Sequence, residues 1–160
     1  MSVPFVRSVG MEKVDIDALD NHPRVADVQK HLTDPLGLAD MALNYYELDP
    51  GESFSGGLHT HMNQEEIFYV IEGTATFDTK AGSHEVGADE VVRFAPGEYQ
   101  EGKNESDERV RALAFGAPQD DGETRSALPC SECGADYHTV EVTADGVTLT
   151  CPDCENVVEM

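Results

Sequence analysis

The stretch from Asp49 to Gly73, DPGESFSGGLHTHMNQEEIFYVIEG, constrains the fold more than any other part of this 160-residue chain. It carries His59 and His61, one residue apart, and then Glu66 at the start of an apolar run. Residues two apart on a β-strand point to the same face, so the two imidazoles should lie side by side. Two imidazoles and a carboxylate from adjacent strands are suitable ligands for a divalent transition metal, and the pattern predicts such a site.

The same stretch resembles the first motif of the cupin family, in which His-X-His is followed at set distances by a glutamate and a glycine. Four residues separate His61 from Glu66, and six separate Glu66 from Gly73, as in that motif. The family's second motif is matched in part by VGADEVVRFAPGEYQEGKN, from Val86 to Asn104. Gln100 stands there in the place of the histidine that is the family's fourth metal ligand.

This resemblance implies a single double-sheet jelly-roll barrel over residues 40–117, with a metal pocket inside. Short apolar segments separated by turn signals independently predict an all-β sandwich or barrel. The predicted strands are Met41–Leu48, Gly57–Met62, Glu66–Ile71, Thr74–Asp78, Ser83–Val86, Glu90–Phe94 and Arg109–Phe115. Single-barrel members of the family commonly pair, so the resemblance also implies a homodimer.

In the cupin resemblance, His59, His61 and Glu66 hold the barrel metal, and Gln100 is a weak fourth ligand or lies beside the ligands. Such a set suits Fe, Mn, Ni or Zn and leaves positions open for dioxygen or a chelating substrate. The alternative is a barrel that binds no metal, because an amide oxygen is a poorer ligand than an imidazole. Arg93 is a candidate to meet an anionic substrate, and candidate pocket walls are Tyr45, Tyr46, Phe68, Phe94 and Tyr99.

The function expected on this basis is that of a small metal-dependent enzyme of dioxygenase, isomerase or lyase type. Its substrate would be a small organic acid or a sugar derivative. The sequence shows no nucleophile beside a base and no nucleotide fingerprint, so it indicates no catalytic residues besides the metal ligands. The alternative is a non-catalytic protein that binds a small ligand or senses a metal.

Two Cys-X-X-Cys pairs, separated by 17 residues, lie near the C-terminus: Cys130, Cys133, Cys151 and Cys154. The segments His138–Thr143 and Val147–Thr150 flank an Asp-Gly turn and predict a hairpin between the pairs. This arrangement over residues 128–160 resembles a zinc ribbon. So short a segment buries too little apolar surface to fold without a cross-link. Four thiolates around Zn can supply on the order of 10–16 kcal/mol of folding free energy. The alternatives are two disulfides, free thiols or an iron site.

The remaining segments are predicted to be an N-terminal arm over residues 1–39 and a linker over 118–127. In the arm, Val3–Val6 could form a short edge strand, and Met11–Leu19 alternates partly as a strand does. The helical spacing of Val25, Val28 and Leu32 predicts a short helix over Arg24–Leu32. The linker, PQDDGETRSA, is polar and lacks periodicity.

Charge narrows the expected partners. The chain has 32 acidic and 10 basic residues and a net charge of −22, which disfavours binding to nucleic acids or anionic membranes. The acids are spread along the chain, and we interpret them as adaptation to the high-salt cytoplasm of a halophile. No lysine or arginine follows Arg125, so the expected role of the ribbon is structural or is contact with a protein partner. No signal peptide or spanning segment is indicated, and a cytoplasmic location is expected.

Overall fold

The computed structural model describes residues 10–160, so the edge strand predicted at Val3–Val6 lies outside the described residues. The described part begins with one turn of 3-10 helix at Ile16–Ala18. The strands that follow are β1 (Val28–His31), β2 (Ala42–Leu48), β3 (His59–His61), β4 (Glu65–Glu72), β5 (Thr74–Thr79), β6 (Gly82–Gly87), β7 (Val91–Phe94), β8 (Gln100–Lys103), β9 (Val110–Ala117), β10 (Thr124–Ser126), β11 (His138–Thr143), β12 (Gly146–Thr150) and β13 (Val157–Glu159).

The strands form two antiparallel sheets. The order in the five-stranded sheet is β1-β2-β9-β4-β7, and the order in the eight-stranded sheet is β13-β12-β11-β10-β3-β8-β5-β6. Buried side chains from both sheets pack in one core, so the sheets face each other as the two layers of a barrel. The all-β, double-sheet barrel predicted from the sequence is confirmed.

Aromatic rings fill the core between the sheets. The ring centroids of Phe68 and Phe77 lie 4.9 Å apart, and Phe54 stacks on Phe77 at 5.8 Å. Gly102 on β8 makes room for these rings, since a Cβ there would lie 2.5 Å from Phe77 and 2.6 Å from Phe54. Burial of each such side chain contributes about 1.5–3 kcal/mol, and the core therefore holds the two sheets together.

The helix predicted over Arg24–Leu32 is wrong. Residues Val28–His31 instead form β1, which pairs with β2 from Val28↔Glu47 to His31↔Asn44. Val25, which the helix would have buried, is 41% exposed. Three apolar residues at helical spacing are a weak signal, and the backbone hydrogen bonds offered by the edge of β2 outweigh it. The partial strand pattern at Met11–Leu19 likewise gives only the 3-10 turn.

Besides β1 and β13, two further strands lie where the sequence predicted none. The first is β8, whose sequence QEGK lacks apolar side chains, although Gln100 and Gly102 are buried. The second is β10, inside the segment predicted as a linker; it pairs with β3 on one side and β11 on the other. The predicted hairpin at the C-terminus forms as β11 and β12, with β13 added at its edge. Because of β10, this hairpin continues the barrel sheet.

No helix in residues 10–160 is long and apolar enough to cross a membrane.

Candidate metal centres

The predicted barrel ligands come together from both sheets. His59 and His61 project from β3 of the eight-stranded sheet, with ring centroids 5.1 Å apart, and Glu66 projects from β4 of the opposite sheet. Each residue places a ligand atom within 4.8 Å of the others. The sequence predicts these residues on adjacent strands; in the structure the two strands instead face each other across the barrel.

His59 is held so that one ring nitrogen is free to bind a metal. Its Nδ1 lies 2.8 Å from the carbonyl oxygen of Gly57 and 3.3 Å from Oγ of Ser55. A proton on Nδ1 donated to Gly57 leaves the lone pair on Nε2 directed at the pocket. Burial lowers the pKa of His59, and the nearby His61 lowers it further, although the bond to Gly57 opposes the shift. His59 is therefore a neutral imidazole at pH 7, the form that binds metals.

His61 is held in a different way. Its Nδ1 lies 3.0 Å from Oγ1 of Thr124 and 3.5 Å from Oδ2 of Asp121, while its Nε2 lies 3.6 Å from Oε2 of Glu66. Burial alone would lower the pKa of His61, but the two carboxylates outweigh burial and raise it. Asp121 in turn has a lowered pKa because of its contact with His61. A carboxylate behind a metal-binding histidine fixes the ring and makes it a better ligand.

Gln100 lies beside the same three ligands. It is 2% exposed and is the cross-strand partner of His59. Its Nε2 donates a hydrogen bond to Oε2 of Glu66 at 2.8 Å and lies 3.5 Å from Nε2 of His59. Its Oε1 is buried with no hydrogen-bond partner among the described residues. An amide flip would turn this oxygen to the ligands, so the donor set fits a divalent metal with Gln100 as fourth ligand or neighbour.

Glu66 is the carboxylate of the set. Burial raises its pKa, and the nearby His61 and Gln100 oppose that shift only in part. A buried carboxylate with too little compensating positive charge is a favourable place for a cation, because the cation stabilises the ionised form.

A cavity of about 310 Å³ opens over these ligands. Its further walls are mainly polar: Asn44, Tyr46, Ser55, Gln64, Gln119 and Asp121, with Phe68 among the apolar ones. Among the described residues, no lysine or arginine lines it. The expected role of Arg93 is wrong, because this side chain is exposed and its Nε lies 2.5 Å from Oε2 of Glu65. Of the five aromatic candidates, only Tyr46 and Phe68 line the cavity.

The sequence did not predict the polar wall residues Asn44, Ser55 and Gln64, nor three residues that follow β9 in the chain: Gln119, Asp121 and Thr124. The last three lie in the segment predicted as a linker. Nothing in its composition shows that β10 pairs with β3, and only this pairing brings the three residues to the histidines.

The second candidate centre is the cluster of four cysteines. Sγ of Cys130 lies 3.6 Å from that of Cys154, and Sγ of Cys133 lies 3.5 Å from that of Cys151. All four sulfur atoms lie within 4.8 Å of one another, and the four thiols are free. Tetrahedral Zn with Zn–S bonds of about 2.3 Å places sulfur atoms roughly 3.8 Å apart, so the cluster fits this ion.

The thiols differ in how readily they ionise. Burial opposes ionisation of Cys151, but the backbone N–H groups of Cys154 and Asp153 lower its pKa to about 7. The backbone N–H of Asn156 favours ionisation of Cys154, but burial and the neighbouring thiols outweigh it and raise the pKa. A second thiolate beside the first is unfavourable without a cation, so a bound cation would allow all four to ionise.

The two Cys-X-X-Cys turns have the same backbone design. The N–H of Gly134 donates to the carbonyl of Cys130 at 2.9 Å, and the N–H of Glu155 donates to the carbonyl of Cys151 at 3.1 Å. Both donors have positive φ, +80° for Gly134 and 61° for Glu155. His138, at the start of β11, is not part of the cluster; its Nδ1 donates to the carbonyl of Leu128 at 2.7 Å.

Comparison with known proteins agrees with this architecture. Residues 44–116 match the family described as "Cupin domain". The structure is similar to a sugar phosphate isomerase of Silicibacter pomeroyi, with a TM-score of 0.70, 22% identity, and coverage of 91% of this chain and 96% of that one. Since residues 128–160 form the last fifth of the chain, this match extends into the cysteine segment.

Two further similar structures are named for other activities. The polyketide cyclase of Streptomyces resistomycificus has a TM-score of 0.64 and 21% identity, and covers 77% of this chain and 89% of its own. A predicted oxalate decarboxylase of Thermotoga maritima has a TM-score of 0.57 and 21% identity, and covers 66% of this chain and 98% of its own. No curated protein matches by sequence. The family match over residues 44–116 and these structures support the cupin jelly-roll fold.

Proposed function

We propose that this protein is a metal-dependent cupin enzyme of isomerase or lyase type, and that its substrate is a small polyhydroxylated molecule such as a sugar derivative. One observation carries the proposal. The ligand atoms of His59, His61 and Glu66 converge beside an open, polar cavity, so a small molecule could reach a bound ion.

The cavity walls favour a sugar over an organic acid. The amides of Asn44, Gln64 and Gln119 both donate and accept hydrogen bonds, which suits hydroxyl groups. Asp121 adds negative charge, and the lining in the described residues has no lysine or arginine to balance an anionic substrate. A divalent ion, when bound, would supply a Lewis acid that polarises a substrate oxygen.

The similar structure named as a sugar phosphate isomerase supports the sugar class. A phosphate group, however, would find no cationic side chain among the described wall residues of this chain. The proposal is therefore an unphosphorylated substrate, bound through its hydroxyl groups.

The test begins with metal content, measured by mass spectrometry on protein purified at high salt without a chelator. The loaded protein is then incubated with a panel of neutral sugars, sugar phosphates and dicarboxylic acids, and products are followed by NMR. We expect turnover of a neutral sugar, and none by the double variant His59→Ala, His61→Ala. Turnover that persists in the metal-free double variant would contradict the proposal, as would turnover of dicarboxylic acids alone.

A second candidate is a non-catalytic protein that binds a small ligand or senses a metal. The contact of Gln100 with Glu66 favours it, because the amide Nε2 donates to the carboxylate that a metal would otherwise bind. In this case the whole protein would carry one equivalent of zinc, and the double variant His59→Ala, His61→Ala would carry the same amount. The cysteine segment would then contact a partner protein, detectable as a pull-down that fails when this segment is deleted.

We also propose that the four cysteines hold one Zn, that the protein is a cytoplasmic homodimer, and that its charge of −22 reflects life at high salt. Self-repulsion of the acidic surface is screened by salt. The thermal midpoint should therefore rise from dilute buffer to molar salt, and sedimentation at high salt should give twice the monomer mass. An unchanged midpoint would contradict the salt adaptation, and a monomeric mass would contradict the dimer.

A further inference from the structure

Strand β10 connects the two candidate metal centres. On one side Thr124 pairs with His61 and Ser126 pairs with His59, the two histidines of the barrel site. On the other side the same residues pair with Val140 and His138 of β11, the first strand of the cysteine hairpin, by which we mean residues 128–160. A strand of three residues has few ladder hydrogen bonds, so its position depends on both neighbours.

The first residue of β10, Thr124, and the segment before it reach into the barrel site. Oγ1 of Thr124 lies 3.0 Å from Nδ1 of His61, and Oδ2 of Asp121 lies 3.5 Å from the same nitrogen. The Thr124 hydroxyl also lies 3.4 Å from Oδ2 of Asp121, so the two side chains and the imidazole form one group. These contacts hold the ring with Nε2 directed at Glu66.

The same segment is closely fitted to the turn after β3. The N–H of Met62 donates to the carbonyl of Glu123 at 2.8 Å, and the N–H of Asn63 donates to the carbonyl of Asp121 at 3.2 Å. Gly122 has a φ of +66°, and a Cβ there would lie 2.7 Å from Cβ of Asn63. The position of Asp121 is thus fixed by backbone contacts between residues 121–123 and the turn after β3.

The other end of β10 leads directly into the cysteine hairpin. The N–H of Ala127 donates to the carbonyl of Leu58 at 2.9 Å, and the carbonyl of Leu128 accepts from the buried His138. Cys130 follows two residues later. A change in the hairpin therefore reaches β10 both through the chain and through the ladder with β11.

We propose that Asp121 and Thr124 are positioning residues for His61, and that the metal of the cysteine cluster sustains the barrel site by holding β10 in place. The inference rests on the proposed function, because it requires a metal in the barrel. Without its own metal, the hairpin lacks the cross-link that stabilises it, and β11 becomes mobile. Strand β10 then loses its backbone hydrogen bonds to β11, one of its two neighbours. His61 then loses the partners that orient it, and the affinity of the barrel for its metal falls.

The first test measures barrel affinity by titrating the zinc-loaded full chain with Mn²⁺ and recording the EPR signal of free Mn²⁺. Mn²⁺ prefers oxygen and nitrogen ligands over thiolates, so it avoids the cysteine cluster, and the Mn²⁺ that the double variant His59→Ala, His61→Ala still binds is subtracted as binding to carboxylates outside the barrel site, such as Asp27, Asp49 and Glu52. Loss of a group that orients a ligand typically reduces affinity about 10- to 100-fold, and we expect this of Asp121→Asn and of Thr124→Val. Thr124→Ser, which keeps the hydroxyl, should restore most of the affinity.

The matched control is Asp107→Asn, which removes the same charge from an exposed position on the barrel. It should leave the affinity within about twofold of the original protein. Affinities of Asp121→Asn and Thr124→Val within the same twofold would overturn the positioning role. Thermal midpoints without Mn²⁺ separate a loss of affinity from a loss of folding.

The second test removes the hairpin metal with the double variant Cys133→Ser, Cys154→Ser, whose two positions are exposed. We expect it to lose zinc and to weaken Mn²⁺ binding by a factor similar to that of Thr124→Val. Adding Thr124→Val to this variant should produce little further loss, because both changes act through the same strand. Unchanged Mn²⁺ affinity in the zinc-free variant would overturn the coupling between the centres.

The outcomes distinguish this inference from the proposed function. An unmodified barrel that binds none of Mn²⁺, Fe²⁺, Ni²⁺ and Zn²⁺ would overturn both. Normal binding that is insensitive to Asp121, Thr124 and the cysteines would overturn the inference and leave the proposed function in place.

Discussion

The two candidate metal centres are built in different ways. The barrel centre takes His59 and His61 from one sheet and Glu66 from the facing sheet, next to a cavity of about 310 Å³. The cysteine cluster takes its four sulfur atoms from two short turns with the same backbone design, and these atoms all lie within 4.8 Å of one another, which matches the four ligands of a closed zinc site. An open centre can bind a substrate, whereas a closed one can only stabilise the chain around it.

The two centres also differ in how far the structure around them depends on a bound metal. The barrel ligands are placed by packing of the two sheets around the aromatic core. The cysteine hairpin has a small core, with Leu149 and His138 among its few buried side chains. We therefore expect metal binding to stabilise the hairpin strongly and the barrel weakly.

The largest expected effect tests the closed centre. Cys151→Ala should abolish zinc binding and remove most of a metal contribution on the order of 10 kcal/mol to folding of the hairpin. Zinc content and chemical denaturation check this. Ser131→Ala, in the first Cys-X-X-Cys turn, is the control and should keep both zinc and stability. A Cys151→Ala protein that retains one equivalent of zinc would show that three thiolates are enough.

The next effect concerns the open centre. The double variant His59→Ala, His61→Ala should lose the barrel metal completely, yet change the free energy of unfolding of the metal-free protein by only about 1 kcal/mol or less. Denaturation in the presence of a chelator, together with metal analysis, measures both quantities. His84→Ala, at an exposed histidine of β6, serves as the control. A much larger loss of stability would mean that the barrel centre is structural too.

Gln100→His should strengthen the open centre. An imidazole is a better ligand than an amide oxygen for late first-row metals, and residue 100 already lies beside the other ligands. We expect the affinity for Ni²⁺ or Zn²⁺ to rise at least about tenfold, which corresponds to about 1.4 kcal/mol. Isothermal titration against the original protein measures it. Unchanged affinity would show that the side chain at residue 100 does not reach the ion.

The smallest effect compares the two turns of the closed centre. Glu155 holds a φ of 61° at the position where the other turn has Gly134. Left-handed backbone is strained for a residue with a Cβ, so Glu155→Gly should stabilise the hairpin by about 1 kcal/mol. Glu132→Gly, at a position without positive φ, should instead destabilise it by about 0.5–1 kcal/mol. The thermal midpoints of both variants measure these changes, and equal shifts of the two midpoints would contradict the strain at Glu155.

Most ligands of both candidate centres could be predicted from the sequence, because the patterns that indicate them span only a few residues. Two histidines one residue apart share a strand face, and a Cys-X-X-Cys turn brings its own two sulfur atoms together, whatever the rest of the chain does. Strands β2, β4 and β9 were predicted close to their observed bounds, since their alternation or apolar runs are long enough to be distinctive. The short strand β8 was missed, because its sequence QEGK has no such pattern.

The arm shows where local patterns mislead. Val28–His31 has no strong preference of its own, and its state is decided by the free edge of β2, whose backbone groups pair with it. Tertiary structure also decides the role of Arg93, whose charge alone suggested contact with an anionic substrate. Arg93 lies on the outer side of β7, where its side chain forms an ion pair with Glu65.

The sequence by itself therefore determined the all-β class, the two sets of candidate ligands and the acidic surface, because each depends on residue type and on spacing over a few residues. Only the tertiary structure decided that Glu66 faces the histidines across the barrel, and that Asp121 and Thr124 lie behind His61. Thr124 is 63 residues from His61 along the chain, and the two meet because β10 pairs with β3. Such a pairing is chosen by the competition among all available strand edges, which no local pattern reports.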